Sequence, residues 1–510
     1  MNRPLKFAFL TPGTGGWYCG ACMRDNALAK GLLGAGHEVS LLPMYLPLQL
    51  DEDVLASTRT TPVFFGGINV FLQQKFPWFR RSPGWFDRWL NAPRLLRRVA
   101  RHSHMTSASD QGELTLAMLR LEDDRFAKEL DKLCSWLQLD PPDILCLSTV
   151  LQAGLIRELK RCLGDVKVIC CFQGEDSFLD GLPEPYRDAC WRELALRVRE
   201  ADALISPSAF YADLMQQRLG PHDLTIHVIP NGIDLTGYVP QASKTGPPVI
   251  GYLARMCREK GLEVMVDAFI YLRGVLGHPD ARLHLAGAAT AGNHVLIAEL
   301  QQRLAAAGLT DQACWQTNIS RADKAEMLAG LSVFSVPALY PEAFGLYVIE
   351  AMACGVPVVL PASASFPEII ARAGVGVLVP SRSSGGPCNS VRPSHPVRKT
   401  GILPVREDSA SSLSAHEPTG WKPVGQDRQD ASHPASLDAI ALAHAWQDLL
   451  SQPGKLDAMA AASRRAAEQF YDVSVMRDGF LALARQVLTS GSGLLPAAPL
   501  SGQDSPSPSA

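Results

Sequence analysis

No stretch among the 510 residues approaches the ~18 consecutive apolar residues that a membrane-crossing helix needs. The first residues, Met1 to Gly13, enter a short apolar segment ended by Pro12-Gly13 and lack the h-region and small-residue cleavage site of a secretory signal. These absences predict a cytoplasmic protein, at most peripheral at the inner membrane face. Net charge is scarce too: 48 Lys plus Arg stand against 51 Asp plus Glu, a formal −3. That balance creates no global field to gather nucleic acid, which disfavours DNA- and RNA-binding functions. The 12 cysteines lack organisation. Several (Cys146, Cys170, Cys171, Cys354) lie in apolar runs, where buried, reduced thiols are expected rather than a disulfide framework. The one Cys-x-x-Cys, Cys19 to Cys22, has no second pair at zinc-ribbon spacing and reads as two small residues in a tight loop. The one Asp-x-Asp, Asp51 to Asp53, reads as solvated charge in a polar loop.

What is present is apolar material. Hydrophobic residues make up 47% and charged residues 19%, enough to bury most of a chain whose length calls for two domains. Leu5 to Leu10 is a short apolar strand, Thr11 to Gly20 a glycine-rich loop and Asn26 to Leu33 a helix. Gly34 and Gly36 break it before a second strand, Glu38 to Leu42. Strand, glycine loop, helix, strand is the unit that builds parallel sheets. Asp143 to Leu147, Val166 to Phe172 and Ala203 to Ser206 continue the series. IPNGID (Ile229 to Asp234) closes this half with a turn, and residues 239–248 read as a linker. Val249 to Leu253, Arg282 to Ala286, Val333 to Pro337, Val356 to Leu360 and Val375 to Val379 then form a second alternating series. The expectation is two doubly wound α/β domains, 1–238 and 249–470.

Three regions stand outside this pattern. An insertion at about 45–140 carries, over 75–101, Trp78, Phe79, Trp85, Phe86 and Trp89 among seven arginines. A basic amphipathic helix at a membrane surface has this composition. A lid with aromatics inward and solvated arginines fits better, because scattered arginine on a helix face is usually just hydrated. A second insertion, 381–435, is rich in Ser, Pro, Gly and Arg, and Thr400-Gly401-x-x-Pro404-Val405 recurs there as Thr419-Gly420-x-x-Pro423-Val424. It reads as a disordered surface loop, a repetitive element translated in frame, since Leu437 to Leu450 resumes a helical pattern that would follow naturally from Val379-Pro380. Deleting Ser383 to His433 is expected to leave catalytic activity nearly intact; a large loss of turnover would refute this. The Ser-, Pro-, Gly- and Ala-dominated tail, 490–510, reads as disordered.

Two motifs carry chemistry. Pro341 to Pro357, PEAFGLYVIEAMACGVP, follows an apolar strand and predicts a helix opening near Phe344 and ending at Gly355. A helix N-terminus just beyond a strand presents free N–H groups and the positive end of the dipole, a site for phosphate. Gly345 leaves room for a ligand beside that backbone, and Glu350, two turns on, suits the paired hydroxyls of a ribose. The second motif, Gly251 to Gly261 (GYLARMCREKG), puts Arg255 and Lys260 at the carboxyl end of the second sheet, where α/β proteins bind ligands. Two cations in that crevice suit a diphosphate.

Glu342 and Glu350, eight positions apart in PEAFGLYVIE, resemble the paired-glutamate motif of the family 4 retaining glycosyltransferases. IPNGID, ARMCREKGL and LAKGLLGAGHEV resemble further signatures of that family, over most of the chain outside 45–140, 381–435 and the tail. The resemblance implies the GT-B architecture: two Rossmann-like domains facing a cleft, with a last helix, 471–489, crossing back to the first domain. It implies a hexosyl transfer, with retention, from a nucleoside-diphosphate sugar to a glycan, lipid or small-molecule acceptor, with no metal and no cofactor. By carry-over, Arg255 and Lys260 would stabilise the departing diphosphate, Glu350 would hold the ribose and Glu342 the donor sugar. The backbone at Phe344 and Gly345 would cradle phosphate, approached by Gly20 from the first domain. Two departures stand out. Gln173, in Phe172-Gln173-Gly174-Glu175, occupies a place where members often carry histidine, and Gln173 or Glu175 is a candidate sugar or acceptor contact. CGACMRDN stands where Gly-Gly-x-Glu is common, leaving Arg24 and Asp25 as either acceptor contacts or helix-start residues. Trp17 and Tyr18 are candidates for the acceptor cleft, and His37 for a structural turn.

A nicotinamide-dependent oxidoreductase would use the same fold units. However, GTGGWYCG lacks a clean G-x-G-x-x-G and the second strand ends without an acidic residue for ribose. A sugar-nucleotide epimerase is a nearer alternative, against which the paired glutamates argue. A non-catalytic binding protein on a decayed scaffold is opposed by the four retained charged residues.

Overall fold

A computed structural model describes residues 3–13, 20–48, 50, 52–55, 58, 61–65, 108–121, 125–220, 224–241, 246–380 and 438–490. Trp17, Tyr18, Cys19, Asp51, the aromatic–basic stretch at 75–101, the insertion at 381–435 and the tail after Ser490 lie outside these residues. Among the described residues, twelve strands form two parallel sheets of six. The first is built from β1 (Lys6–Thr11), β2 (Glu38–Pro43), β3 (Ile144–Leu147), β4 (Lys167–Cys171), β5 (Ala203–Ser206) and β6 (Ile226–Val228), in the order β2-β1-β3-β4-β5-β6. The second contains β7 (Val249–Leu253), β8 (Arg282–Gly287), β9 (Ala313–Thr317), β10 (Val333–Ser335), β11 (Val358–Pro361) and β12 (Val377–Val379), in the order β12-β11-β10-β7-β8-β9. Central strands are apolar almost throughout, as in ILCL and, after its leading lysine, KVICC, because helices cover both faces of a parallel sheet.

The pleat sorts β1 between two cores. Ala8 and Leu10 face one with Leu145, Leu147 and Phe172, while Phe7 and Phe9 face the other. That second face is closed by the helices Gly20–Gly34 and Val473–Thr489. The Phe480 ring lies 5.8 Å from Phe7 and 5.9 Å from Phe9, so the chain returns at its last helix to complete the core of the first domain. Gly232 in IPNGID permits that return: a Cβ there would come within 2.9 Å of the Asp472 carbonyl oxygen and 3.1 Å of Met476 Cβ. Gly232→Val is therefore expected to lower stability by about 1–3 kcal/mol through overpacking, measurable by urea unfolding. His37 is structural, its Nδ1 accepting the Leu5 N–H at 3.0 Å.

Four features differ from expectation. Strands β6 and β9, at the edges of their sheets, are additional. The first helix starts at Gly20 rather than at Asn26, so Cys22, read as a loop residue, is helical, as are Arg24 and Asp25. The helix Ala127–Leu139, inside the stretch taken as an insertion, buries Leu133 and Leu137 fully and belongs to the core beside β3. Finally, that helix is joined to the helix Leu155–Leu163 by a Cys134–Cys162 disulfide, against the expectation of reduced thiols. Their packing brings the two Cα atoms to 6.2 Å, within bridging range. Among the described residues no helix is long and apolar enough to cross a membrane.

Candidate functional site

Each sheet reverses its strand order once, between β1 and β3 in the first and between β7 and β10 in the second. At such a point the outgoing segments diverge to opposite faces and leave a crevice at the carboxyl ends of the strands. After β7 the chain passes Arg255 and a short turn, Arg258–Lys260. After β10 it passes Tyr340 and Glu342 into the helix Leu346–Ala353. Gly261 locks the two segments together. It adopts φ +71°, and a Cβ there would fall 1.9 Å from the Pro337 carbonyl oxygen. Only glycine tolerates both the conformation and the approach.

This contact brings Lys260 onto Glu342. Lys260 is 6% exposed, and its Nζ pairs with Glu342 Oε2. The same oxygen accepts hydrogen bonds from the Tyr340 hydroxyl at 3.1 Å and the Tyr347 hydroxyl at 2.8 Å. The Lys260 ammonium lies 4.8 Å from the Tyr340 ring centroid and 5.0 Å from that of Tyr347, within cation–π range. Burial alone would raise the Glu342 carboxyl. The Lys260 charge and the hydrogen bonds from Lys260, Tyr347 and Tyr340 outweigh it and hold the group below its ordinary value. Glu342 is thus kept ionised, and that state is lost only as pH falls below the usual carboxylate range.

Gly345, at φ +95°, starts the next helix, and the Val348 N–H bonds back to its carbonyl at 3.0 Å. The N–H groups before Val348 have no intrahelical acceptor. Arg255, Lys260, Glu342, Phe344, Gly345 and Tyr347 share one cleft of about 580 Å³. Gly20, Gln173, Gly174, Ser177 and Asn231 line it from the first domain. An adjoining pocket of about 150 Å³ is lined by Leu253, Gly287, Asn318, Ile319, Lys324 and Glu350. Glu350 is 4% exposed, and its Oε1 takes both the Lys324 ammonium and the Tyr238 hydroxyl, the latter at 2.9 Å. The two domains also touch directly beside the cleft. Ser208 Oγ donates to the Ala343 carbonyl at 2.7 Å, and Glu368 accepts the Ala209 N–H at 2.8 Å.

Two of the candidate contacts are not among the residues that line this cleft. Glu175 is 5% exposed and turned inward, accepting from Thr149 Oγ1 at 2.6 Å and from the Gln173 and Gly174 N–H groups at 2.8 and 3.1 Å. It shapes the loop that carries Gln173 to the cleft and does not line the cleft itself. Arg24 is 4% exposed, with Nη1 at 3.5 Å from Cys171 Sγ and Nη2 at 3.2 Å from Asp25. Starting the helix at Gly20 buries it against the sheet, outside the lining of the large cleft and at the edge of a small pocket it shares with Leu346 and Glu350. Asp25, fully buried, accepts in turn from Thr11 and Ser148. Four residues of the site were not singled out from the sequence: Tyr340, Tyr347, Lys324 and Tyr238. Tyr347 stands inside PEAFGLYVIE and was open to notice there. Lys324 and Tyr238 reach Glu350 from 26 and 112 positions away, and no local pattern signals them.

Two family models match the chain: "Glycosyltransferase Family 4" over residues 116–236 and "Glycosyl transferases group 1" over 239–385, together just over half of its length. Among curated proteins, the glycogen synthase of Mycobacterium tuberculosis is 31% identical over 38% of this chain and 46% of its own length. The mannosylfructose-phosphate synthase of Agrobacterium fabrum is 27% identical over 32% of this chain and 38% of its own. The matched region therefore spans less than half the length of these relatives. Among solved structures, the sucrose-phosphate synthase of Thermosynechococcus elongatus superposes with a TM-score of 0.63 at 16% identity, covering 95% of this chain and 99% of that one. HepE of Anabaena, crystallised with UDP-glucose, superposes with a TM-score of 0.57 at 16% identity, covering 94% and 100%. At such identity the likeness establishes the fold.

Proposed function

The chain belongs to family 4 of the GT-B glycosyltransferases, and from that premise we propose that it transfers a sugar, with retention, from a nucleoside-diphosphate donor to an acceptor. The observation that carries this reading is the convergence of Arg255, Lys260 and the open N-terminus of the helix Leu346–Ala353 on one cleft, flanked by Glu342 and Glu350. In this reading the diphosphate lies between the two cations and the N–H groups near Gly345, with the Phe344 and Gly345 backbone cradling it and Gly20 closing from the first domain. Ribose hydroxyls meet Glu350, the base occupies the pocket beside Asn318 and Ile319, and the sugar lies against Glu342 and Gln173. As the glycosidic bond breaks, negative charge grows on the diphosphate. Cations and N–H groups already fixed in place stabilise that charge without reorganising. The HepE structure with UDP-glucose supports a nucleotide-sugar donor.

Arg255 and Lys260 supply the positive charge in this scheme, so we expect no metal requirement. Among the described residues no group of three His, Cys, Asp or Glu is arranged to hold one. Transfer should persist in excess EDTA; loss of turnover that added Mn²⁺ or Mg²⁺ restores would overturn this. The acceptor, a glycan, lipid or small molecule, is assigned to the first-domain side of the cleft. The glycosyltransferase reading itself is tested by thermal shift and calorimetry with UDP-, GDP- and ADP-sugars beside NAD and NADP. Stabilisation by one sugar nucleotide, abolished in Glu350→Ala, supports it. Stabilisation by a nicotinamide cofactor alone, or by nothing, sinks it. Proton NMR of the product's anomeric centre tests retention, and an inverted configuration contradicts it.

A further inference from the structure

Resting on the reading of the cleft as a donor site, we infer that Tyr347 and Tyr340 are positioning residues. Their rings hold the Lys260 ammonium, and their hydroxyls dictate which oxygen of Glu342 meets the ligand.

The geometry of the cluster is one-sided. The Lys260 ammonium, the Tyr340 hydroxyl and the Tyr347 hydroxyl all bond to Oε2 of Glu342. A carboxylate offers about four lone-pair sites over its two oxygens, so three donors leave Oε2 with no capacity for a further partner. A ligand hydroxyl must therefore address Oε1. A lysine alone would not enforce this, because the terminal torsion of glutamate is broad and lets its two oxygens exchange. Two hydroxyls arriving from different segments, one before Glu342 and one from the following helix, remove that freedom.

The rings act on the other partner. Lys260 has three N–H donors, and Glu342 engages one of them. The aromatic faces at 4.8 and 5.0 Å stabilise the charge without a localised lone pair. The remaining donors stay available for phosphate oxygens, although the ammonium is almost fully buried. Both tyrosines remain donors at working pH, since burial and the neighbouring Glu342 push their hydroxyls well above the ordinary value. The same arrangement recurs at the second glutamate. There a lysine (Lys324) and a tyrosine (Tyr238) both bond to Oε1 of Glu350, leaving Oε2. In each case a buried glutamate is turned into a single-oxygen acceptor of fixed direction.

Phenylalanine keeps the ring and deletes the hydroxyl, so it separates the two effects. The experiment compares wild type, Tyr347→Phe, the Tyr340→Phe/Tyr347→Phe pair and Tyr347→Leu. It uses calorimetry with UDP and UDP-glucose (or the matching pair of the donor selected by the panel above) and pH profiles of kcat. Tyr347→Phe is expected to leave affinity for the bare nucleotide within about twofold and to lower kcat/KM for the sugar nucleotide by about tenfold, with the double variant worse. The groups facing Glu342 are Lys260, Arg255, Tyr252, Tyr340 and Tyr347. Removing one hydroxyl withdraws a donor to the ionised carboxylate, so the acid limb of the kcat profile moves to higher pH. Tyr347→Leu, which also loses the ring on Lys260, is expected to weaken the bare nucleotide as well. Wild-type behaviour in Tyr347→Phe, or equal losses for UDP and UDP-glucose in it, overturns the inference while leaving the donor-site reading intact. Failure of the wild type to bind any nucleotide sugar removes that reading and the inference together.

Discussion

Lys260→Ala is expected to lower kcat/KM for the donor by about 10²–10³-fold, the usual cost of deleting one preorganised group aimed at developing charge. The effect is largest here because Lys260 is 6% exposed and fixed by Glu342 and two rings. It meets the leaving group already desolvated, where a charge acts more strongly than in water. The same substitution strands Glu342, whose ionised state depends first on the Lys260 charge. Stability should therefore fall as well, and more at pH 8 than at pH 4, where the orphaned carboxyl can take up a proton. Lys260→Ala/Glu342→Gln separates the two consequences. It should recover most of the unfolding midpoint in urea without recovering turnover. If the double variant regains activity, Lys260 serves only to neutralise Glu342 and has no role toward the donor.

Lys324→Met is expected to destabilise the second domain by about 3–5 kcal/mol, the range found when one partner of a buried ion pair is removed. Lys324 and Glu350 are 6% and 4% exposed, and their pair lies beneath the small pocket beside Asn318. Deleting the lysine leaves a carboxylate whose one remaining donor of that cluster is the Tyr238 hydroxyl. Lys324→Met/Glu350→Leu replaces both charges with apolar groups and should return most of the lost stability, because a buried pair often contributes little beyond its apolar equivalent. Nucleotide affinity should be weak in both variants, since the ribose loses its acceptor in one and the acceptor loses its orientation in the other. Urea unfolding and nucleotide titration on the same samples test this. A Lys324→Met protein as stable as wild type would mean that water reaches Glu350.

The central strands were legible in the sequence because burial on both faces leaves a plain mark, a continuous apolar run bounded by glycine or proline. Ala203–Ser206 and Val249–Leu253 fall where that rule places them. The edge strands β6 and β9 were not legible. Ile226–Val228 is half-buried throughout and ACWQT mixes polar with apolar residues, since an edge strand faces a neighbour on one side only. Helix starts were blurred for a related reason. The segment GACMRDN carries charge, yet Arg24 and Asp25 are buried by pairing with each other, and such pairing leaves no trace in a hydrophobic pattern.

By itself the sequence determined the two-sheet α/β architecture, the family and the motifs after β7 and β10 that supply Arg255, Lys260, Glu342, Gly345 and Glu350. Those are local properties: apolar runs, glycines at turns, and charged residues at fixed distances from a strand end. Only the tertiary structure decided how these residues face one another. Glu342 and Lys260 meet across 82 positions because Gly261 lets one loop rest on another. Lys324 reaches Glu350 because the helix Arg321–Ala329 packs beside the helix Leu346–Ala353. Glu175 turns inward because a buried carboxylate must find donors, and its donors, Thr149 and the Gln173 and Gly174 N–H groups, lie within the first domain. Arg24 is held inward by its charge pair with Asp25. Which oxygen of each glutamate remains open to a ligand depends on hydroxyls and ammonium groups brought together from distant segments, and no pattern along the chain specifies it.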